Sequence, residues 1–335
     1  MTQPPMQATA TAQPNIALVK YWGKRDATLN LPAAGSLSIT LDALHTHTRV
    51  RFDPTLDADD ITLNGKRDEK QSRKLSAFLD LFRERAGTAI RAHVESENDF
   101  PTGAGLASSA SGFAALAIAI DHALDLHLQP RELSVLARRG SGSAARSIFG
   151  GFVEMDAGTR EDGTDAFATP LLEASAWPLE VVVAITTRKQ KATSSSIGMQ
   201  ASQRTSPYYR DWVASVPGDL ADARAAIAAR DFEKLGVTSE ASCMAMHAVM
   251  LATRPALVYW NGATLECLQR IRTLQSEGVP TFFTIDAGPQ VKAVCLPGTS
   301  ARVAEALRDA PGVEEVLVSG LGEGARVVEE VAPCV

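Results

Sequence analysis

The sequence predicts an α+β protein made of two closely joined lobes. Three observations carry this expectation. The chain has 335 residues, enough for about two domains at roughly 150 residues each. Segments with two-residue apolar alternation open the chain and return at its end, and segments with helical spacing lie between them. No internal repeat and no long linker interrupts the pattern, so the boundary expected at about 180–190 is a junction and not a flexible joint.

The elements follow in order. Residues 1–13 carry no charge and no apolar centre, unlike a signal peptide, and are expected to be a disordered lead-in. Residues 15–20 form a short apolar strand. Residues 36–52 alternate with β-branched enrichment, as one half-buried strand does. Residues 61–65 end in Asn64 and Gly65, a strong turn signal. In 68–85, Leu75, Phe78, Leu79 and Phe82 share one helical face. Residues 89–97 alternate again, with Ile90, Ala92 and Val94 on one face. Helices are expected at 106–126 and 131–139, and strands at 149–155 and 179–186. The region 206–275 reads as mainly helical. Strands at 281–285, 291–296 and 313–318, with a helix at 301–308, complete the chain. The lobes are thus expected at 14–185 and 186–335.

Composition narrows the function class. Apolar residues make up 45% and charged residues 21%, which excludes a chain too polar to offset its ordering entropy. The longest apolar run, 113–120, is far short of the roughly 18 residues a membrane span needs. A net charge of −6 provides no basic surplus for nucleic acid. It leaves room for a small anion held by a few local cations. Cys243, Cys267, Cys295 and Cys334 form no close pair and read as small buried hydrophobes in the reducing cytoplasm. The six histidines show no metal spacing, and Trp22 and Trp260 read as packing residues.

The most informative stretch is 101–112, PTGAGLASSASG, which follows a strand and opens a helix. Gly103 and Gly105 let backbone approach a ligand closely. The helix start then offers unpaired N–H groups and the positive end of its dipole to a phosphate. Ser108 and Ser109 add hydroxyls for phosphate oxygens or a magnesium ion. The alternative is a small-residue helix entry that only packs tightly.

The pattern PxxxGLxSSA in this stretch resembles the nucleotide loop of the GHMP kinase superfamily. Within it, NIALVKYWGKRD at 15–26, LNLP at 29–32, GSGSAARS at 140–147 and DAGP at 286–289 resemble the mevalonate diphosphate decarboxylases. The resemblance spans about residues 14–320. It implies a two-lobed GHMP kinase fold, with a ribosomal-protein-S5-like N-terminal lobe and a C-terminal α/β sandwich lobe. It also implies ATP and Mg2+ as cofactors and a homodimer. The reaction implied is ATP-dependent decarboxylation of 5-diphosphomevalonate to isopentenyl diphosphate. A 5-phosphomevalonate decarboxylase or a mevalonate 3-kinase is the alternative. Three departures stand out: Gly103 where the family usually has Ala, Ala34 and Gly35 where it has Asn and Ser, and Gln290 where it has Asn.

The resemblance implies roles residue by residue. Asp286 is the carboxylate that orients the reacting hydroxyl, Arg146 the main partner of the substrate anion, and Lys20 a cation near the transferred group. Ser194 contacts phosphate, with its register uncertain by one in the run 194–196. Tyr21, Lys24, Ser141, Gly142 and Ser143 join Arg146 in holding the substrate. Gly103, Ala104, Gly105, Leu106, Ala107, Ser108 and Ser109 cradle the nucleotide, Ser96 and Asn98 contact adenine or ribose, and Ser109 is the candidate Mg2+ ligand. From the residues alone, Asp286 fits a turn cap before Gly288 and Pro289 as well as a base. Lys20 and Lys24 could share a strand face only if the chain stayed extended through Gly23.

Overall fold

The structure is a computed structural model that describes residues 6–100, 108–189 and 191–328. In its first half it contains β1 (Gln7–Ala12), β2 (Asn15–Val19), β3 (Lys24–Asp26), β4 (Leu31–Pro32), β5 (Ser36–Thr40), β6 (Thr46–Asp53), β7 (Asp60–Leu63), α1 (Glu69–Ala86), β8 (Arg91–Asn98), α2 (Ser108–Ala123), α3 (Pro130–Gly140) and α4 (Ala144–Ser147). Then come β9 (Phe152–Met155), β10 (Ala168–Leu172), β11 (Glu180–Ile185), α5 (Ser195–Thr205), α6 (Tyr209–Ala229), α7 (Phe232–Leu251), α8 (Gly262–Ser276), β12 (Thr281–Ile285), β13 (Val291–Cys295), α9 (Ser300–Arg308), β14 (Glu315–Ser319) and β15 (Arg326–Val328).

Three larger sheets organise these elements, in the orders β15-β1-β6-β8-β7, β10-β9-β5-β2 and β12-β13-β11-β14, and β3 and β4 pair as a two-stranded fourth. The first is covered by α2, whose buried face is rich in alanine (Ala110, Ala114, Ala115, Ala117) and lies against β1 and β6. α1 forms where the spacing predicted it. Asp68 caps its start by accepting from the Gln71 N–H at 2.7 Å, and Gly87 ends it in the left-handed region. The turn at Asn64 and Gly65 also forms, with both residues at positive φ and Leu63 and Lys66 exchanging backbone bonds of 2.8 and 3.0 Å.

Three expectations are corrected. Residues 7–12 of the supposed disordered lead-in form β1, which pairs with β6 and β15; Ala8, Ala10 and Ala12 are buried on one face. Alanine carries too little apolar signal to mark a strand, yet its small size lets α2 approach closely. The expected single strand 36–52 is two strands in different sheets, β5 and β6. The chain turns between them at Asp42, whose carboxylate accepts from the Ser319 hydroxyl and the Gly320 N–H. β11, expected to close the first lobe at 185, pairs with β13 and β14, so the C-terminal sheet begins at Glu180.

One buried apolar cluster joins the lobes. It includes Trp22, Leu37 and Phe152 from the first half and Val181, Trp212 and Phe282 from the second. The end of β2 therefore meets the end of β12, and Thr284 on β12 donates to the Ala17 carbonyl at 3.0 Å.

Candidate active site

β12 is an edge strand buried along its whole length. Its last residue hands the chain to Asp286, which begins the turn into β13 with a Gly288 N–H to Asp286 carbonyl bond of 2.7 Å. The Asp286 carboxylate is not used as a backbone cap. Its Oδ1 accepts from Lys20 Nζ at 2.8 Å and its Oδ2 from Lys292 Nζ at 3.1 Å. Both lysine side chains are 1% exposed. Burial pushes the Asp286 carboxyl up, but the two ammonium groups outweigh it and hold it well below the ordinary carboxylate range. Burial lowers Lys292 in turn, and Asp286 opposes that shift.

Helix α7 holds this pair from behind. Ser242 Oγ accepts the Lys20 N–H at 3.1 Å, and Cys243 Sγ accepts the Ile285 N–H at 3.2 Å. His247 Nε2 lies 3.3 Å from the Ile285 carbonyl. Burial, then the charge of Lys20, depresses His247 to about 4, so it is neutral near pH 7. The free edge of β12 is thus satisfied by side chains of α7 and, at the Thr281 carbonyl, by Gln275 of α8, which fixes the backbone that carries Asp286.

Arg146, on the short helix α4, is 2% exposed. Its guanidinium donates to Ser38 Oγ (2.9 Å), Ser36 Oγ and Asn15 Oδ1 (3.1 Å from Nη2), all neutral acceptors. No carboxylate among the described residues lies within ion-pair distance of it. Burial lowers it to about 10, and the field of Asp286 partly opposes this. A charge so placed is costly until an anion arrives. Ser36, the one polar residue left where the family pattern departs at Ala34 and Gly35, is spent on this guanidinium.

Around Arg146 lie the other expected substrate residues. The hydroxyls of Ser109, Ser141 and Ser143 form a chain with separations of 3.1 and 3.3 Å. Gly142 leaves room for the tip of the Tyr21 ring, which a Cβ there would displace. Lys20 and Lys24 do not share a strand face. β2 ends at Val19, and Gly23, at φ +125, redirects the chain, so Lys24 Nζ instead reaches Asn30 Oδ1 at 2.6 Å and Ser196 Oγ at 3.4 Å. Burial lowers the Lys24 ammonium.

The three serines of 194–196 take separate partners. Ser194 caps α5, its Oγ accepting from the Ile197 N–H at 3.4 Å. Ser195 Oγ accepts from Lys191 Nζ at 2.8 Å, and Ser196 faces Lys24. Lys191 also donates to the Ala287 carbonyl at 2.9 Å; burial brings it to about 8, against the pull of Asp286.

A cavity of about 200 Å3 beside this cluster is lined by Ser96, Asn98, Ser108 and Ser109, and also by Asn64, Lys74 and Phe113. Burial and the nearby Lys24 lower Lys74 to about 8. Its ammonium sits 4.5 Å from the centre of the Phe113 ring. Gly103, Ala104, Gly105, Leu106 and Ala107 lie outside the described residues. No cluster of three or more His, Cys, Asp or Glu side chains suited to a metal occurs among the described residues. Ser109 alone is a poor cation site. A hard divalent ion there fits only if phosphate oxygens and water complete its shell, the usual arrangement for magnesium. A larger groove of about 790 Å3 elsewhere is lined by Asp42, Glu173, Glu180 and Glu323, the wrong charge for a polyanion.

Lys292, Lys191 and Lys74 were not singled out from the sequence. Lys292 alternates within a buried strand, and its burial pattern was the only signal available. The cluster as a whole sets Lys20 and Lys292 on the Asp286 carboxylate, Lys191 on the neighbouring Ala287 carbonyl, and Arg146 within the field of that carboxylate.

Comparison with known proteins gives a consistent result. Residues 12–168 match the diphosphomevalonate decarboxylase-like N-terminal domain, and residues 181–324 match the mevalonate 5-diphosphate decarboxylase C-terminal domain. A diphosphomevalonate decarboxylase of Candida albicans is 39% identical over 84% of this chain and 82% of its own length. The human diphosphomevalonate decarboxylase is 36% identical over 91% and 80%. Among solved structures, mevalonate diphosphate decarboxylase from Staphylococcus aureus superposes with a TM-score of 0.91 at 37% identity, covering 97% of this chain and 98% of that one. The MDDEF complex with MVAPP, AMPPCP and magnesium gives a TM-score of 0.89 at 39% identity over 96% and 99%.

Proposed function

The chain belongs to the diphosphomevalonate decarboxylase family, and from that premise we infer that it catalyses ATP-dependent decarboxylation of 5-diphosphomevalonate to isopentenyl diphosphate, releasing ADP, phosphate and CO2. The observation that carries this reading is the excess of buried cations about Asp286, with Arg146 held, among the described residues, by neutral groups only. Such a pocket in a chain of net charge −6 is built to take a polyanion. In this reading the site lies by the ends of β2 and β12, which the Thr284 bond to the Ala17 carbonyl holds together.

In this reading Asp286 accepts a hydrogen bond from the tertiary 3-hydroxyl and sets its line of attack. Its low basicity is compatible with phosphoryl transfer, whose loose transition state needs little help from a base. The proton passes to the carboxylate as the hydroxyl oxygen bonds to the γ-phosphorus of ATP and the bond from that phosphorus to the bridging oxygen breaks, releasing ADP. Departure of the new phosphate leaves an electron-poor carbon. The electron pair of the C–C bond to the carboxylate then forms the alkene, and CO2 leaves. Lys20 and Lys191 face the phosphoryl oxygens, Arg146 the carboxylate, and Lys24 with Tyr21 the phosphorylated tail. Ser195 is the serine of the 194–196 run best placed to meet phosphate, because Ser194 is engaged as a cap. Magnesium, carried with ATP and reached by Ser109, supplies charge neutralisation on the phosphates.

Incubating the protein with ATP and, separately, 5-diphosphomevalonate, 5-phosphomevalonate and mevalonate tests the reading. Equal ADP and CO2 from the diphosphorylated acid is the expected result. ADP without CO2 would sink the decarboxylase reading in favour of a 3-kinase. Lys74→Met is expected to raise the KM for ATP about tenfold, the scale of one charge-assisted hydrogen bond, with the KM for the acid near wild type.

A homodimer in the reducing cytoplasm is part of the same proposal. Free buried thiols at Cys243, Cys267 and Cys295 support the compartment. An exposed stripe on α7 supports self-association. Val237, Met244 and Leu251 are 66%, 42% and 47% exposed, with the small residues Ala241 and Ala248 between them, at the four- and three-residue spacing of a helix-pairing seam. Met244→Glu is expected to halve the mass seen by light scattering without lowering helix content. An unchanged mass would remove α7 from the interface.

A further inference from the structure

Two phenols in the substrate half of the site share an unusual setting. The Tyr21 hydroxyl fills the space that a Cβ on Gly142 would take, and the Tyr209 hydroxyl fills the corresponding space at Gly23. Both glycines belong to segments the site depends on: Gly142 lies between Ser141 and Ser143, and Gly23 immediately precedes Lys24. Both hydroxyls are buried, and neither has a hydrogen-bond partner among the described residues. Tyr209 as a whole is only 6% exposed. Buried hydroxyls are nearly always bonded in folded proteins, and an exception requires a cause. On the functional reading above, the cause for Tyr21 is the arriving substrate, and Tyr209 has the same buried, unmet hydroxyl and the same glycine cradle.

The ring is also well fixed. Tyr209 opens α6 and packs at 44° against Trp212, with centroids 5.9 Å apart. Burial raises its phenol to about 12, so it stays protonated and donates to an anionic acceptor. Gly23 lies between Trp22 and Lys24 and two residues after Tyr21, so the Tyr209 hydroxyl sits against the segment that carries both Tyr21 and Lys24.

We propose that Tyr209 is a substrate-binding residue whose phenolic O–H donates to a phosphate oxygen of the tail held by Tyr21 and Lys24. The proposal rests on the functional reading above and adds a residue that neither motif nor spacing indicated.

Tyr209→Phe tests it in the full-length protein, because phenylalanine keeps the ring and removes only the hydroxyl. The readouts are titration calorimetry with 5-diphosphomevalonate in the absence of ATP, the KM and kcat for each substrate, and the melting temperature. The expected result is an affinity for the diphosphorylated acid about tenfold weaker, the scale of a hydrogen bond to a charged group. Affinity for unphosphorylated mevalonate and the KM for ATP should move far less. The melting temperature should not fall, since an unpaired buried hydroxyl is lost. Unchanged affinity for the diphosphorylated acid would overturn the proposal and leave the hydroxyl bonded to water only. If the wild-type protein neither binds nor turns over that acid, the functional reading fails instead. A variant that differs from an active wild type only in stability counts against Tyr209 alone.

Discussion

Asp286→Asn lowers kcat by about a thousandfold or more, equivalent to a barrier rise of at least ~4 kcal/mol, while the affinity for ATP stays near wild type. The substitution keeps the shape and removes the charge. Lys20 and Lys292 then face an amide that offers one acceptor where they had two carboxylate oxygens. The hydroxyl loses its alignment and its proton acceptor, whereas the cavity around Ser96, Asn98 and Lys74, proposed above for the nucleotide, is untouched. Rapid-quench measurement of ADP formation, with separate binding of an ATP analogue, checks both halves. Turnover near the wild-type rate would refute the role of Asp286.

The same cluster fixes the pH dependence of stability. The folded-state carboxyl of Asp286 is held below its unfolded value. It therefore contributes stability that is fully present above the ordinary Asp range and is lost as pH falls through the lower folded value. Acid unfolding of the wild type should show this contribution persisting through mildly acid pH. In the Asp286→Asn variant it should be absent at every pH.

Arg146→Lys and Arg146→Met are expected to lower kcat/KM for the acid by about a hundredfold and about a thousandfold or more, with a much smaller change in melting temperature. Among the described residues the guanidinium hydrogen-bonds only to Asn15, Ser36 and Ser38. In the free protein its desolvation is therefore poorly repaid, so removing it relieves a buried charge even as it leaves three acceptors short. Lysine keeps the charge but not the planar fork that suits a carboxylate. Methionine keeps neither. Calorimetry of acid binding alongside thermal melts separates the two effects. A large loss of stability with kcat/KM intact would make Arg146 a structural residue.

Much of the site was readable from the residues because its motifs are local. Asp286 stands at a strand end before a turn, and 101–112 has the glycines and serines of a phosphate loop regardless of what surrounds it. Strong periodic elements were equally plain: the apolar face of α1 and the whole of β12 lie where spacing puts them. The misses share a cause. β1 was invisible because alanines signal weakly until a helix packs on them. The break between β5 and β6 was hidden because both alternate, and the side chain that turns the chain, Asp42, finds its partners at Ser319 and Gly320.

The sequence by itself determined the family and most of the element types, β1 and the β5–β6 break excepted, since these depend on composition and spacing along a short stretch of chain. Only the tertiary structure decided which charges meet. A net charge of −6 conceals a cluster in which Lys20 from β2's end and Lys292 from β13 hold Asp286 after β12, with Lys191 from the loop before α5 and Arg146 from α4 near it. Tyr209 enters from α6 over Gly23. These residues are separated by up to 272 positions (20 to 292). Electrostatic energy and hydrogen bonding fall off over a few ångströms, so their coupling exists only once packing of the two lobes has brought them together.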